Sequence, residues 1–282
     1  MKNKFTGFSS LSRGLSIYLP FTKNVIKDSL AYKGTFYLML VCKILSVFIT
    51  YYLWKVIFDS SGSGIIGNFT RIEMITYIFM SFVCSNIVII NMTTKIGNDV
   101  TDGSIAINLI KPISYKIKLL SESVGEMLYK FIIPSIFIWI GVEVYKIYNM
   151  QNYSFSIKNT IFFIISSVLG FLVYFLFEFC FGMLAFYTTY VWGMEIIKGG
   201  IMTFLTGQLI PLTFFSDAIQ KIFEFLPFSS MNYIPVMMYL GKISNSEVAY
   251  TLIKQVIWIV ILQLFSSWLW KKVIKRISIL GG

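Results

Sequence analysis

Long apolar runs separated by short connections that hold most of the charge constrain this chain more than any other feature. The runs cover about residues 35–58, 72–92, 124–148, 160–187, 195–215 and 248–270. At 1.5 Å per residue each is long enough to cross the roughly 30 Å of bilayer hydrocarbon. Lipid offers backbone N–H and C=O groups no partners, so runs of this length predict helices. Only 13% of the 282 residues are charged, against about a quarter in soluble domains. The six runs take up most of the chain and leave no room for a soluble catalytic domain. The expected fold is all-α, a single polytopic membrane domain over residues 1–282 with six transmembrane helices.

Three further segments refine this plan. Over residues 13–33, plotted at 100° per residue, Tyr18, Leu19, Phe21, Val25, Ile26, Leu30 and Tyr32 share one half and Lys23, Asn24, Lys27 and Asp28 the other. That pattern predicts an amphipathic interfacial helix with its basic edge toward an anionic leaflet. Thr22, Ser29 and Lys33 interrupt its apolar half, and Pro20 must sit in the first turn or split the helix. Residues 93–122 are polar and read as a connection. Residues 216–240 are apolar but broken by Pro227 and Pro235 into pieces too short to cross, which predicts a re-entrant hairpin.

The formal charge of +11 does not indicate nucleic acid, because Lys and Arg concentrate at the two ends and in short connections. Lys2, Lys4, Arg13, Lys23, Lys27 and Lys33 precede the first run, and Lys271, Lys272, Lys275 and Arg276 follow the last. The excess of positive charge puts both termini in the cytoplasm, with the 93–122 connection inside and the 216–240 hairpin outside. The first residues lack the apolar core and cleavage site of a signal peptide, so the N-terminal arm is expected to remain.

Few residues are equipped for chemistry. There is no histidine, which excludes histidine triads and histidine metal sites. Cys42, Cys84 and Cys180 lie singly in apolar runs and read as free thiols. No phosphate-binding G-x-x-x-x-G-K-[ST] loop occurs, so ATP hydrolysis would need another polypeptide. Glu122, Glu126 and Lys130 share a helix face, with Glu126 and Lys130 in ion-pair spacing. Gly141, Gly170, Gly182, Pro134 and Pro211 fit either close helix contacts and kinks or ordinary membrane-helix usage. Lys43 and Glu178 each lie roughly 13 Å into a run, where an unpaired charge costs at least about 2.5–3.5 kcal/mol. A pair between them, snorkelling by Lys43 and a wet cavity around Glu178 are the ways to lessen that cost.

Three stretches carry a family likeness. Asn98-Asp-Val-Thr-Asp-Gly-Ser-Ile-Ala-Ile-Asn-Leu-Ile-Lys-Pro112 resembles the pattern D-I-x-S-G-x-L-x-x-L-L-x-K/R-P that follows the second span in a bacterial ABC type-2 permease family. Gly207-Gln-Leu-Ile-Pro-Leu212 with Leu226-Pro-Phe228, and Tyr239-Leu-Gly-Lys242 with Gln255-Val-Ile-Trp258, follow in the same order and spacing. Thr101 and the lack of a proline directly after Leu212 depart from the pattern. The resemblance implies a type V exporter fold in the bacterial cytoplasmic membrane. The chain would be the non-hydrolysing permease of an ATP-driven exporter of drugs, antibiotics, peptides or lipidic compounds, as in efflux-based resistance.

Its partners would be a pair of ABC ATPase subunits, which hold the ATP and Mg, a second permease chain, the same or related, and membrane lipids. This chain would bind no cofactor. The resemblance makes Asp99, Asp102, Gly103, Ile105, Leu109, Lys111 and Pro112 the coupling segment, with Leu109 as the first anchor, Asp102 as helix N-cap and Lys111-Pro112 as the helix end. It makes Gly207, Pro211, Pro227 and Phe228 part of the external hairpin. Two other classes stay open: an ion-coupled secondary transporter, for which the halves show no repeat, and a membrane-embedded lipid-modifying enzyme, for which acids are scarce.

Overall fold

The computed structural model describes residues 6–31, 33–62, 64–150, 154–188 and 191–280. Helix α1 (Thr6–Ala31) starts before the expected Arg13, runs through Pro20 and lies along α6 (Tyr115–Lys130). Thr22 Oγ1 donates to Ser121 O (2.7 Å), and Tyr129 OH donates to Ser29 O (3.3 Å). Of the polar interruptions of its apolar half, Thr22 therefore meets α6 through its side chain and Ser29 meets it through its backbone carbonyl. A Cβ at Gly125 would stand 2.6 Å from Thr22 O, so the close approach of the two helices requires glycine there.

Helix α2 (Lys33–Ser61) is about 44 Å long at 1.5 Å per residue. A two-stranded hairpin follows, Ile65–Ile66 against Phe69–Thr70, turned by Gly67 and Asn68, both at positive φ. Thr70 then opens α3 (Arg71–Val88) with a reciprocal cap: its Oγ1 accepts from Glu73 N, and Glu73 Oε2 accepts from Thr70 N (2.8 Å). Helix α3 breaks over residues 89–91 and resumes as α4 (Met92–Thr101). The polar connection expected from Thr93 thus begins as helix. The reason is tertiary, since Met92, Thr93, Ile96 and Gly97 are buried and α4 packs on α8 (Ile157–Gly182).

Helix α5 (Ser104–Ile110) precedes α6, and a π turn at Phe131–Ser135 joins α6 to α7 (Ile136–Asn149). Pro134 sits in that turn; it lacks an N–H and crowds the preceding turn of a regular helix, and the widened turn relieves both. Helix α8 ends in a 3₁₀ turn at Met183–Phe186. Helix α9 (Trp192–Leu205) stops ten residues short of the expected Phe215. It extends only about 21 Å before Gly207, at φ +71°, turns the chain away. Pro211 leads into a 3₁₀ turn at Leu212–Phe214. Next come α10 (Asp217–Phe225), a 3₁₀ turn that Pro227 starts (Pro227–Met231), α11 (Tyr233–Tyr239) and α12 (Asn245–Leu280).

Among the described residues the fold is all-α apart from that hairpin, and four stretches are long and apolar enough to cross a membrane: Leu40–Ser61, Arg71–Thr101, Ile157–Phe186 and Asn245–Lys275. Of the other expected runs, 124–148 is divided by the π turn and 195–215 stops at Leu205.

Helix α8 is the central post, in contact with α3, α4, α11 and α12. The turn between α10 and α11 reaches the middle of the long helices. Gln255 Nε2 donates to Ser230 O (3.0 Å), Cys84 Sγ lies 3.6 Å from Met231 O, and a Cβ on Gly170 would stand 2.5 Å from Ser230 O. Gly182 likewise faces a close neighbour, Ile96, whereas Gly141 faces open space. Phe228 packs edge-on to Phe177, and every residue of α11 is buried. Just before α10, Phe214 covers Gly67 and Phe69, and at the end of α11 Tyr239 OH donates to Glu143 of α7.

Candidate functional site

The α4–α5–α6 elbow is built around one carboxylate. Asp99 Oδ1 accepts from Ser104 Oγ (3.0 Å), and Asp99 Oδ2 accepts from Asn108 Nδ2 (3.2 Å) and Tyr115 OH (2.7 Å). Asp99 thereby ties the end of α4 to both ends of the α5 turn and to the start of α6. Tyr115 is buried, and its hydroxyl donates to Asp99. Gly103, at φ +76°, makes the reversal between α4 and α5. Asp102 Oδ1 accepts from Ser104 N (2.9 Å), and that bond holds its carboxyl below the usual range. Asp102 caps the first turn of α5 from one residue further back than a regular N-cap, since Gly103 occupies that position. Lys111, extended before Pro112, ends the helix. Lys95 reaches from α4 to Glu122 of α6 (2.5 Å), and Glu126 and Lys130 form the pair their spacing suggests.

This clamp decides which way α5 faces. Ile105 is buried and Leu109 packs partly against the core, while Ile107 and Ile110 are 62% and 84% exposed. Leu109 is therefore a foot of the helix, and the apolar side chains that α5 leaves exposed are Ile107 and Ile110. Sequence alone could not separate these apolar positions, because seven residues make too short a helix for periodicity to fix the buried side.

Deeper in the chain lies a group of charges. Glu178 of α8 is fully buried; its Oε2 accepts from Thr93 N (3.1 Å) and Thr93 Oγ1 (2.7 Å), and its Oε1 pairs with Lys198 of α9. Lys198 Nζ also donates to Glu195 Oε2 (2.8 Å) and Thr93 Oγ1 (3.1 Å). Lys43 and Glu178 do not meet. Lys43 Nζ donates to Asn86 Oδ1 of α3 (3.0 Å), and α3 packs against both α2 and α8. The partner of Glu178 is Lys198, a cation inside an apolar run with Glu195 three positions before it. That was the available sequence signal: two charges one helical turn apart in a run otherwise suited to lipid.

Glu195 and Lys198 also line a cavity of about 330 Å³ between α3, α8 and α9, whose walls include Ser85, Tyr174, Gln208 and Asn232. A second, of about 370 Å³, lies toward α2 and includes Lys43 and Ser46. The two share Ser85, Ile89, Thr203 and Gln208. Next to the cavities Gly207 O accepts from Tyr77 OH (2.5 Å), and Ser81 Oγ, in the wall of the second, donates to Gln208 O (3.2 Å).

A family model described as "ABC-2 family transporter protein" matches residues 44–281, which take in the elbow, the buried charges and helices α10 and α11. None of the curated proteins matches the chain.

Proposed function

We propose that this chain, which belongs to the ABC-2 family of transporter proteins, is the membrane-spanning subunit of an ATP-driven exporter and takes up motion at the α4–α5–α6 elbow. Family membership supports a membrane component that works with an ABC ATPase subunit. The observation that carries the coupling reading is the pair Ile107 and Ile110, exposed on a helix that Asp99 holds fast from behind. Apolar side chains on a braced helix suit a groove on a partner, where each buried Ile contributes roughly 1.5–3 kcal/mol. The bracing means that a push on α5 is passed to α4 and α6 and not absorbed locally. Helix α4 carries Thr93, which bonds Glu178 and Lys198 beside the cavity.

In this reading both termini and the elbow face the cytoplasm of a bacterial cell, and the chain crosses its membrane six times. The crossings are α2, α3 with α4, α6 with α7, α8, α9 with residues 206–214, and α12. The hairpin of α10 and α11 dips from the outer face. Two such chains, identical or related, form the path for an amphiphilic drug, antibiotic, peptide or lipidic cargo, and the paired ATPase subunits bind ATP and Mg. The test is co-expression with the cognate ATPase. Ile107→Asp with Ile110→Asp should insert normally but lose copurifying ATPase and transport. Normal values for both would remove α5 from the coupling.

A further inference from the structure

We infer that the cavity between α3, α8 and α9 is a binding site for the protonated primary amine of an amphiphile. Two features of its wall carry this. The first is charge: Glu178 and Glu195 stand against a single cation, Lys198. Glu178 is fully buried behind Thr93, whereas Glu195 lines the cavity and keeps part of its carboxylate open to it. With both carboxylates ionised, the wall carries one more negative than positive charge, and the partly exposed Glu195 presents it to the cavity. Lys130, on α6, is engaged by Glu126, and Lys43, whose ammonium is bonded to the neutral Asn86, lies in the adjoining cavity on the far side toward α2.

The second feature is independent of the charges. Asn232 is 3% exposed, lines the same cavity, and its Oδ1 has no hydrogen-bond partner. Its orientation is dictated by its neighbours. Ser81 Oγ donates to Gln208 O (3.2 Å) and accepts from Asn232 Nδ2 (2.6 Å). That leaves Oδ1 as an acceptor in a nearly closed space, and a buried acceptor without a donor costs roughly 1–3 kcal/mol. A ligand suited to this wall brings positive charge for Glu195 and an N–H for Asn232. A primary ammonium supplies both; a quaternary ammonium supplies only the charge, and a sulfate head supplies neither. Val88, Met202 and Met231 form an apolar part of the wall for the adjoining methylenes.

The inference names a cargo class for the exporter reading and rests on it for direction of movement, but binding itself requires no ATPase. The experiment uses the purified full chain in lipid nanodiscs, with empty nanodiscs as the blank, and titrates dodecylamine, dodecyltrimethylammonium and dodecyl sulfate by tryptophan fluorescence. Dodecylamine should bind about tenfold or more tightly than dodecyltrimethylammonium, the value of one hydrogen bond to a charged group, with dodecyl sulfate weakest. Glu195→Gln should weaken dodecylamine by about tenfold or more. Asn232→Leu should bring the amine and the quaternary ligand to similar affinity. Should Asn232→Leu fail to fold, the wild-type selectivity and Glu195→Gln decide. Equal binding of the three ligands by the wild-type chain, or an unchanged amine affinity in Glu195→Gln, would overturn the site. Selective amine binding by a chain that captures no ATPase would uphold the site and refute the exporter reading.

Discussion

At the scale of single residues, the buried Glu178–Lys198 contact sets the largest individual stakes, because breaking a buried pair strands a charge that lipid and protein cannot solvate. The two partners are not equivalent. Glu178→Gln leaves Lys198 with Glu195 and lets the amide keep bonding Thr93, so it should cost about 1–3 kcal/mol. Lys198→Met leaves Glu178 and Glu195 without their cation and should cost about 3–5 kcal/mol. The double change should be less damaging than Lys198→Met alone; thermal unfolding of the four purified proteins measures this, and additive losses would deny the contact. Lys43→Met and Glu178→Gln, which act on separate partners, should add to within about 0.5 kcal/mol.

Among the elements, α5 is held by side-chain bonds more than by its own length, since an isolated helix of one or two turns is unstable in water. Asp99→Ala removes three of those bonds at once. Amides 104–110 should then exchange with deuterium markedly faster while α8 stays protected; unchanged exchange in α5 would show that other contacts brace the elbow. Tyr115→Phe should give a smaller effect in the same segment. The turn between α10 and α11 depends on space in the same way. Gly170→Ala would drive a Cβ to 2.5 Å from Ser230 O, with backbone on both sides of the contact. Such overpacking costs about 1–3 kcal/mol, and a melting temperature equal to that of the native chain would mean that the turn moves freely.

For the whole molecule, the arrangement in the bilayer is open to labelling. Ser229 lies in the hairpin that should face outward, but it is fully buried, so an impermeant thiol reagent would not reach it from either side. Ser60, Ser216 and Ser246 are exposed, and they lie near the ends of α2, α10 and α12 that share one side in the six-crossing reading. In a chain whose three native cysteines are replaced by serine, cysteines at these positions should react in intact cells, and a cysteine at Ile107 should react only after lysis. Reaction of Ile107→Cys in intact cells would invert the orientation.

Hydropathy and charge by themselves determined that this chain is a helical membrane protein, where its long helices α2, α3, α8 and α12 lie, and that residues 216–240 are too broken to cross. These follow from chain-local physics: an apolar run must satisfy its own backbone in lipid, and Pro227 and Pro235 interrupt it. Local rules did not reach the continuation of α3 into α4, the early stop of α9, the outward face of α5 or the partner of Glu178. Each was decided by a neighbour distant in sequence. Thr93 is helical because it is buried against Glu178, and Leu109 turns inward because Asp99 fixes α5 between α4 and α6. Lys198 tolerates its depth because two carboxylates and a hydroxyl converge on it from α4, α8 and its own helix. A run of residues shows how well a segment suits lipid, but the packing of several segments decides which polar groups meet inside it.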